Sequence, residues 1–305
     1  IRRRKNLNKK RISVFLIILL VLSNFNVLAV DAAENGDSTT DTLYLDKENV
    51  TGTLSQQNET EAEKALTSGS EEPTNQVNEN PQDLNNEEES DEPVQLPEEH
   101  YQNWDLVWND EFDGTSIDRT KWGFQNGTGA EYGNEGWGNE EQQFYKEENA
   151  TVEDGKLIIE AKQENVGGKP YTSAKLVTES IFSKKYGKFE AAIKMPVGDG
   201  FWPAFWMMTQ DDVYGGWPAS GEIDIMEARG RIPTEIGGTI HYGGNWPNNT
   251  YSGGEYEFEE GSDITDFHIY SVEWEPGEIR WYVDGELYHT ETNWNSTGKD
   301  QPSKY

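Results

Sequence analysis

From about residue 101 onward, the sequence predicts an all-β domain, built either as a sandwich or as a barrel. Short apolar runs rich in β-branched and aromatic residues recur roughly every 8–12 residues, a spacing typical of such folds. Gly, Asp and Asn separate the runs, and no sustained helical periodicity appears. These observations together predict many short strands joined by turns.

The first predicted strands are short. Leu106-Val107-Trp108 predicts a strand that runs into a turn at Asp113-Gly114. Residues 149–162 predict a hairpin around Asp154-Gly155. Residues 186–195 alternate apolar and polar positions, as in a strand with one buried face.

The later strands are longer. Residues 201–208 form a nearly continuous apolar run, in which Pro203 predicts a bent strand or a sheet edge. Strands are also predicted at 237–242, 267–274, 279–283 and 287–289. Pro276-Gly277 and Asp284-Gly285 are the turns that join the last three.

The stretch from Ser220 to Ala228 carries the strongest indication of chemistry, because it places three carboxylates in an apolar, β-branched run. On a strand, Glu222 and Asp224 point to the same face. Glu227 would point to the other face unless a β-bulge near Met226 turned it back. With the bulge, Glu222 and Glu227 lie about 13 Å apart at Cα, and their carboxyls roughly 5–6 Å apart, close to the spacing of a retaining glycosidase.

Carboxylates this close cannot all ionise freely, so at least one pKa should be raised. One group could then act as a nucleophile and another as a protonated acid. Two alternatives remain open for the stretch by itself. It could be a solvated polar strand face, or the carboxylates together with His241 could hold a hard cation.

The N-terminal third differs from the rest in composition. Residues 1–32 combine a basic start, an apolar stretch and small residues near Ala32, which predicts a secretory signal peptide, with a retained membrane anchor as the alternative. Residues 33–100 are acidic and nearly free of aromatic residues, which predicts a disordered linker. Residues 101–305 form the third predicted unit. The chain begins with Ile, so we expect the sequence to be incomplete at its start.

The formal net charge of −32 makes nucleic acid an improbable partner. The chain has no cysteine, so an exported domain must depend on a full-sized core. All 11 tryptophans lie in residues 101–305. Several flank the carboxylate stretch, which favours a groove in which sugar rings stack on aromatic faces, although any single one could simply be core.

The motifs Gly221-Glu222-Ile223-Asp224-Ile225-Met226-Glu227 and Gly200-Phe201-Trp202-Pro203-Ala204-Phe205-Trp206-Met207 resemble glycoside hydrolase family 16, and within it the bacterial laminarinase-type endo-β-1,3-glucanases. Residues 108–112, 137–145 and 186–190 match as well, so the resemblance covers roughly residues 104–305. Met226 is the inserted residue that separates laminarinase-like members from the lichenase type.

The resemblance implies a β-jelly-roll sandwich of the concanavalin A-like class, with a concave sheet forming the substrate cleft. Glu222 would be the nucleophile, Glu227 the general acid/base, and Asp224 would orient or tune the nucleophile. The positions that would line sugar subsites are Asn139, Trp202, Trp206, Trp217 and His241. The resemblance also implies a structural calcium held by Glu111 and the turn carbonyl of Gly155.

Two residues depart from the family pattern: Lys175 stands where we expect Arg, and Glu179 where we expect Lys. The family also continues past a piece like Asp300-Gln301-Pro302 into further strands. We therefore expect this chain to be a truncated piece, with an unpaired sheet edge where those strands would pair.

We expect a secreted, monomeric endo-β-glucanase that hydrolyses β-1,3 bonds of laminarin-like polysaccharide with retention, uses no cofactor in the chemistry and contacts no membrane beyond its export signal. Mixed-linkage β-1,3-1,4-glucan hydrolysis and transglycosylation are the enzymatic alternatives. A non-catalytic β-glucan-binding module is the alternative from another class of protein.

Overall fold

The structure, a computed structural model, describes residues 2–4, 14–22 and 95–297. These residues form β-strands joined by loops and by short 3-10 turns at Glu98–Tyr101, Ala130–Tyr132, Glu135–Gly138 and Glu147–Asn149. Nearly all of the predicted linker, residues 33–100, lies outside the described residues. Within the described residues, no helix is long and apolar enough to cross a membrane.

The strands are numbered in chain order. They are β1 Arg2–Arg4, β2 Val14–Leu22, β3 Trp104–Leu106, β4 Gly123–Phe124, β5 Gln143–Tyr145, β6 Ala150–Glu153, β7 Lys156–Ile159, β8 Tyr171–Ser173, β9 Lys175–Val177, β10 Gly187–Ile193, β11 Phe201–Thr209, β12 Glu222–Ala228, β13 Glu235–Gly243, β14 Asn249–Glu257, β15 His268–Glu275, β16 Glu278–Val283 and β17 Glu286–Glu291.

The described strands form two large antiparallel sheets. One has seven strands in the order β14-β13-β12-β11-β2-β9-β4, and the other has six in the order β17-β16-β15-β10-β1-β3. β5 and β8 form a small parallel pair, and β6 and β7 form the predicted hairpin around Asp154-Gly155. The two large sheets confirm the predicted all-β sandwich.

Two strands come from the segment interpreted as a signal peptide. β2 is hydrogen-bonded to β11 on one side and to β9 on the other, and β1 lies between β3 and β10. In the seven-stranded sheet, β2 therefore fills the position between β9 and β11. The division of the chain at residues 32 and 100 stays a prediction.

The prediction that the strand containing Pro203 is bent or lies at an edge was wrong about the edge, because β11 is internal. Pro203 precedes Ala204, the first residue of β11 that is paired with β12. On the other side of β11, Pro203 is the Cα partner of Leu20 in β2.

The core lies between the two large sheets and is built by alternate residues of their strands. On β12, Ile223 and Ile225 are buried, whereas Glu222 is part-exposed on the opposite face. Side chains from both sheets contribute to the same cluster, including Phe205, Met207, Ile223, Ile225, Ile240, Tyr270, Val272 and Trp281. This alternation leaves the other face of β11, β12 and β13 to form the floor of a cleft.

Candidate active site

The cleft is organised around a bulge in β12. Glu222 pairs with Met208 of β11, and Glu227 pairs with Ala204, so five residue steps on β12 match four on β11. The same mismatch occurs against β13, where the partners are His241 and Gly237. Ile225 is the residue without a Cα partner on β11. The predicted bulge near Met226 is therefore confirmed, and it puts Glu222, Asp224 and Glu227 on one face.

The opposite sheet supports the bulge from within the core. Trp281 of β16 donates a hydrogen bond from Nε1 to the backbone carbonyl of Asp224, at 2.8 Å. The indole ring passes close to Gly238 of β13, where a Cβ atom would lie 2.4 Å from Trp281 Cδ1. Asp224 is the last paired residue before the unpaired Ile225, so this buried donor holds the backbone where the bulge begins.

Each outer carboxylate accepts a hydrogen bond from an indole. Trp202 Nε1 donates to Glu227 Oε1 at 2.8 Å, and Trp217 Nε1 donates to Glu222 Oε2. Asp224 Oδ2 lies 3.4 Å from Nε2 of His241. Two tryptophans predicted to line sugar subsites therefore also orient the two candidate catalytic carboxyl groups.

Burial dominates the electrostatics of Glu222 and Asp224. It raises the pKa of the Glu222 carboxyl well above its usual range, and the charge of Asp224 raises it further, against the opposing charge of His241. Burial likewise raises the pKa of Asp224 well above its usual range, with the charge of Glu227 adding to the effect. Ionisation of both carboxyls at once is therefore unfavourable, as expected of like charges in a desolvated site.

Several interactions oppose the rise in the pKa of Glu227. Burial raises the pKa of its carboxyl, but the charge of His241, the Trp202 hydrogen bond and the charge of Arg229 oppose the rise. Arg229 lines the same cavity as Glu227, with a volume of about 440 Å³. Arg229 was not predicted from the sequence. It lies two residues after Glu227, and no motif or spacing in the sequence marks it as a site residue.

Exposed aromatic side chains form a ridge beside this cavity. Trp217 and His241 lie 5.8 Å apart at their ring centroids, and Trp217 and Trp246 lie 6.2 Å apart. Tyr251 continues the ridge at 5.8 Å from His241. Trp246 and Tyr251 are each 70% exposed. Aromatic faces this exposed next to buried carboxyls are suited to stacking against sugar rings.

A second aromatic group packs on the other side of the carboxylates. Trp137, Tyr145, Val177 and Ala204 form a buried cluster with the part-buried Trp202 and Trp206. Lys175 is 5% exposed and places Nζ 4.0 Å from the ring centroid of Trp137 and 5.2 Å from that of Trp206. The departure noted at Lys175 therefore lies beside the candidate site and not at a remote position.

Asn139 joins the site indirectly. It is exposed directly after the 3-10 turn that carries Trp137, and its side chain is hydrogen-bonded to Glu141. Burial raises the pKa of Glu141 to about 7, against hydrogen bonds from Tyr145 and the charge of Lys175. Sequence reasoning missed Glu141, although it belongs to the matching piece that contains Asn139.

The residues predicted to hold calcium lie on different loops. Glu111 is exposed and accepts a hydrogen bond from Asn109 Nδ2 at 3.0 Å, and Gly155 is the second residue of the β6–β7 turn. Calcium normally takes 6–8 oxygen ligands. Phe112, which follows Glu111, and Gly155 line the same cavity, and the metal site stays a proposal.

The chain is similar in sequence to known glucan-degrading enzymes. Glucan endo-1,3-beta-glucosidase A1 of Niallia circulans is 47% identical over 208 residues, which are 63% of this chain and 30% of that protein. Beta-glucanase of Rhodothermus marinus is 43% identical, over 65% of this chain and 72% of that protein. The chain thus spans less than a third of the first relative's length and more than two thirds of the second's.

A solved structure shares the fold. The catalytic domain of an endo-1,3-beta-glucanase (laminarinase) from Thermotoga petrophila RKU-1 superposes with a TM-score of 0.59 at 45% identity, covering 62% of this chain and 77% of that one. The family described as "Glycosyl hydrolases family 16" matches residues 138–305. The bulged carboxylate strand, the jelly-roll sandwich and these matches agree: the chain belongs to family 16 of the glycosyl hydrolases.

Proposed function

We propose that this chain is a retaining endo-β-glucanase that hydrolyses β-1,3-glucosidic bonds in laminarin-like polysaccharide. The observation that carries the proposal is the β12 bulge, which sets Glu222 and Glu227 four strand steps apart on one face with Asp224 between them. That spacing suits two carboxyls acting on the same anomeric carbon. Similarity to a glucan endo-1,3-beta-glucosidase and a beta-glucanase, at 43–47% identity, supports β-glucan as the substrate class.

In the proposed reaction, Glu222 attacks the anomeric carbon while Glu227 protonates the leaving oxygen. Glu227 then takes a proton from water, which displaces Glu222 from the glycosyl-enzyme and gives net retention. The chemistry uses only the side chains of this chain and water. The hydrogen bond from Trp202 fixes the direction of the Glu227 carboxyl towards the cleft.

The nucleophile must be ionised, and Asp224 provides a place for the proton. Asp224 is 2% exposed, whereas Glu222 is part-exposed, so Asp224 is the more costly of the two to ionise. The two side chains are hydrogen-bonded to each other. By itself this hydrogen bond raises the pKa of Glu222 and lowers that of Asp224, but burial is the larger effect at Asp224 and raises its pKa. When the proton is on Asp224, Asp224 donates to Glu222 and, together with the N–H of Trp217, stabilises the charge on the nucleophile.

The test compares wild type with Glu222→Gln in a domain that carries the whole sandwich. We expect reducing-sugar release from laminarin to fall by at least about a thousandfold in Glu222→Gln, since the covalent step is lost. Glu257→Gln, at an exposed position of β14, is the matched control and should retain wild-type activity. Full activity in Glu222→Gln would refute the assignment.

Product analysis then separates the alternatives. Release of short oligosaccharides from laminarin but not from mixed-linkage glucan supports β-1,3 specificity and an internal mode of attack. Faster cleavage of mixed-linkage glucan would indicate a lichenase-like activity instead. Products longer than the added oligosaccharide acceptors would indicate transglycosylation. Binding of laminarin without hydrolysis by wild type would indicate a binding module.

We also propose that the protein is exported, on the basis of the basic and apolar start of the chain, and that it acts as a monomer. Residues 14–22 of that start form β2 between β9 and β11, so removal of a signal peptide would take away this strand. Calcium binding by Glu111 and the Gly155 carbonyl is part of the same proposal. Thermal unfolding with and without a chelator tests it, because a metal bound only by the folded state raises the melting temperature.

A further inference from the structure

Glu222, Asp224 and His241 form a compact cluster at the centre of the cleft. Each can offer one ligand atom, and the three atoms all lie within 4.8 Å of one another. Glu222 and His241 are Cα partners across the β12–β13 ladder, and Asp224 is two residues further along the same face. Regular backbone therefore fixes the relative positions of all three side chains.

One ligand–ligand distance in the cluster matches a tetrahedral metal site. Oxygen and nitrogen ligands at about 2.0 Å from a tetrahedral ion lie roughly 3.3 Å from each other. The distance from His241 Nε2 to Asp224 Oδ2 is 3.4 Å, so these two atoms need almost no movement. The third ligand lies within 4.8 Å, which side-chain rotation of Glu222 can close.

Asp224 Oδ2 also lacks a hydrogen-bond partner among the described residues, although Asp224 is 2% exposed. A buried carboxylate oxygen in this state is costly unless something binds it. The Trp217 N–H contacts Oε2 of Glu222, and Glu222 is also hydrogen-bonded to Asp224, so a metal ion held by both carboxyls would take the place of that hydrogen bond. The unsatisfied oxygen therefore points to a bound cation as well as to a bound proton.

The donor set selects the kind of metal. One imidazole nitrogen and two carboxylate oxygens suit Zn²⁺ or Co²⁺, whereas Ca²⁺ needs 6–8 oxygen ligands and does not favour imidazole. Three protein ligands leave a fourth position facing the open cleft for water. The sequence left open a hard cation at these same residues, and the imidazole ligand favours a transition metal instead.

We propose that Glu222, Asp224 and His241 bind one divalent transition-metal ion of the Zn²⁺ type, and that this ion competes with glucan for the catalytic centre. Competition follows because a metal-bound Glu222 cannot attack a sugar, and because the ion occupies the space beside the carboxylates that the sugar needs. The proposal goes beyond the hydrolysis proposed above, in which no metal takes part.

The experiment first measures laminarin hydrolysis by wild type in a chelator, which establishes activity without metal. Zn²⁺ is then added at several laminarin concentrations, and we expect an increase in KM with little change in kcat. His241→Gln should raise the inhibition constant for Zn²⁺ at least tenfold. His100→Gln, on the Glu98–Tyr101 turn away from the cleft, should inhibit like wild type.

A second readout needs no enzymatic activity. Co²⁺ bound tetrahedrally by wild type should give a strong visible absorption band that saturates at one ion per chain, and that is lost in His241→Gln but kept in His100→Gln. Inhibition unchanged by His241→Gln, or the same Co²⁺ spectrum in both variants, would overturn the proposal. An inactive wild type that still binds Co²⁺ would refute the hydrolysis and leave the metal site standing.

Discussion

Lys175 is the residue at which this chain departs from the family pattern beside the cleft. Burial lowers the pKa of Lys175 to about 8, against the opposing charges of Glu141, Glu222 and Glu179. Its ammonium group lies against the Trp137 ring at 4.0 Å. An arginine would keep its charge at every accessible pH, whereas this lysine loses its charge in mildly alkaline solution.

Lys175→Met should weaken glucan binding about tenfold at pH 6, because it removes cation–π contacts that help to hold Trp137 and Trp206 in place. Binding of a laminari-oligosaccharide to wild type should fall as the pH rises through about 8, whereas Lys175→Arg should bind equally at pH 6 and pH 9. Calorimetry in the Glu222→Gln background measures binding without turnover.

Lys194→Met is the matched control, since Lys194 Nζ lies 5.3 Å from the Phe267 ring, just after β10. It should bind the oligosaccharide like wild type. If Lys175→Met bound the oligosaccharide as tightly as the control variant, the cation–π contacts of Lys175 with Trp137 and Trp206 would not contribute to glucan affinity.

At the scale of elements, the active site depends on how β12 is supported by β13 and β16. The bulge that turns Glu227 to the cleft begins directly after Asp224, and Trp281 holds the carbonyl of Asp224 with a hydrogen bond of 2.8 Å. Gly238 on β13 leaves the space that this indole occupies. The absence of a side chain at Gly238 is therefore a requirement of the catalytic strand.

Gly238→Ala should destabilise the fold by roughly 1–3 kcal/mol, as overpacking of a core does. The new methyl group would lie 2.4 Å from Trp281 Cδ1 and 2.4 Å from the Tyr288 hydroxyl, so the indole must shift and its bond to Asp224 weakens. We expect a lower melting temperature together with a lower kcat.

The neighbouring Gly237→Ala tests the cause. A Cβ atom there meets its nearest atom only at 4.0 Å, so this variant should unfold like wild type. Equal destabilisation by both substitutions would mean that a general loss of backbone freedom in β13 matters and not the contact with Trp281.

At the scale of the whole molecule, a histidine ties a loop to the edge of the six-stranded sheet. His268 Nδ1 lies 2.6 Å from Asp284 Oδ2 in the β16–β17 turn, and Nε2 lies 3.1 Å from the carbonyl of Asp263. A charged imidazolium can donate to both acceptors at once. Burial lowers the pKa of His268, but the Asp284 hydrogen bond and charge outweigh it and raise the pKa overall.

Because the folded pKa lies above the unfolded value of 6.5, the stabilisation is complete below about pH 6.5 and is lost as the pH rises through the folded pKa. His268→Gln should therefore lower the free energy of unfolding by roughly 1 kcal/mol at pH 5.5 and by less at pH 9. Urea unfolding at the two pH values measures the difference.

His289→Gln, on β17, is the control variant. Among the described residues, His289 has no aspartate within hydrogen-bond range, so this variant shows the effect of losing a histidine without losing such a pair. A penalty for His268→Gln that grows with pH would contradict the sign of the pKa shift. A penalty independent of pH would mean that only the neutral ring contributes.

The sequence by itself determined the all-β class, the carboxylate strand and its bulge. Strand alternation is local, so Glu222, Asp224 and Glu227 could be assigned to one face from their spacing and from the chemistry that needs them together. The pairing of Glu222 with Met208 and of Glu227 with Ala204 confirms that inference. Of the two alternatives predicted from Pro203, a bent strand or a sheet edge, the edge was wrong, because an internal position depends on which strands become neighbours.

Only the tertiary structure decided which groups outside β12 act on those carboxylates. Trp281 is 57 residues from Asp224 in the chain, and no local pattern connects them. Lys175 was visible only as a departure from a family pattern, and Arg229 and Glu141 were not singled out at all. Such contacts arise when strands distant in sequence pack together, and burial then sets the pKa values that the chemistry uses.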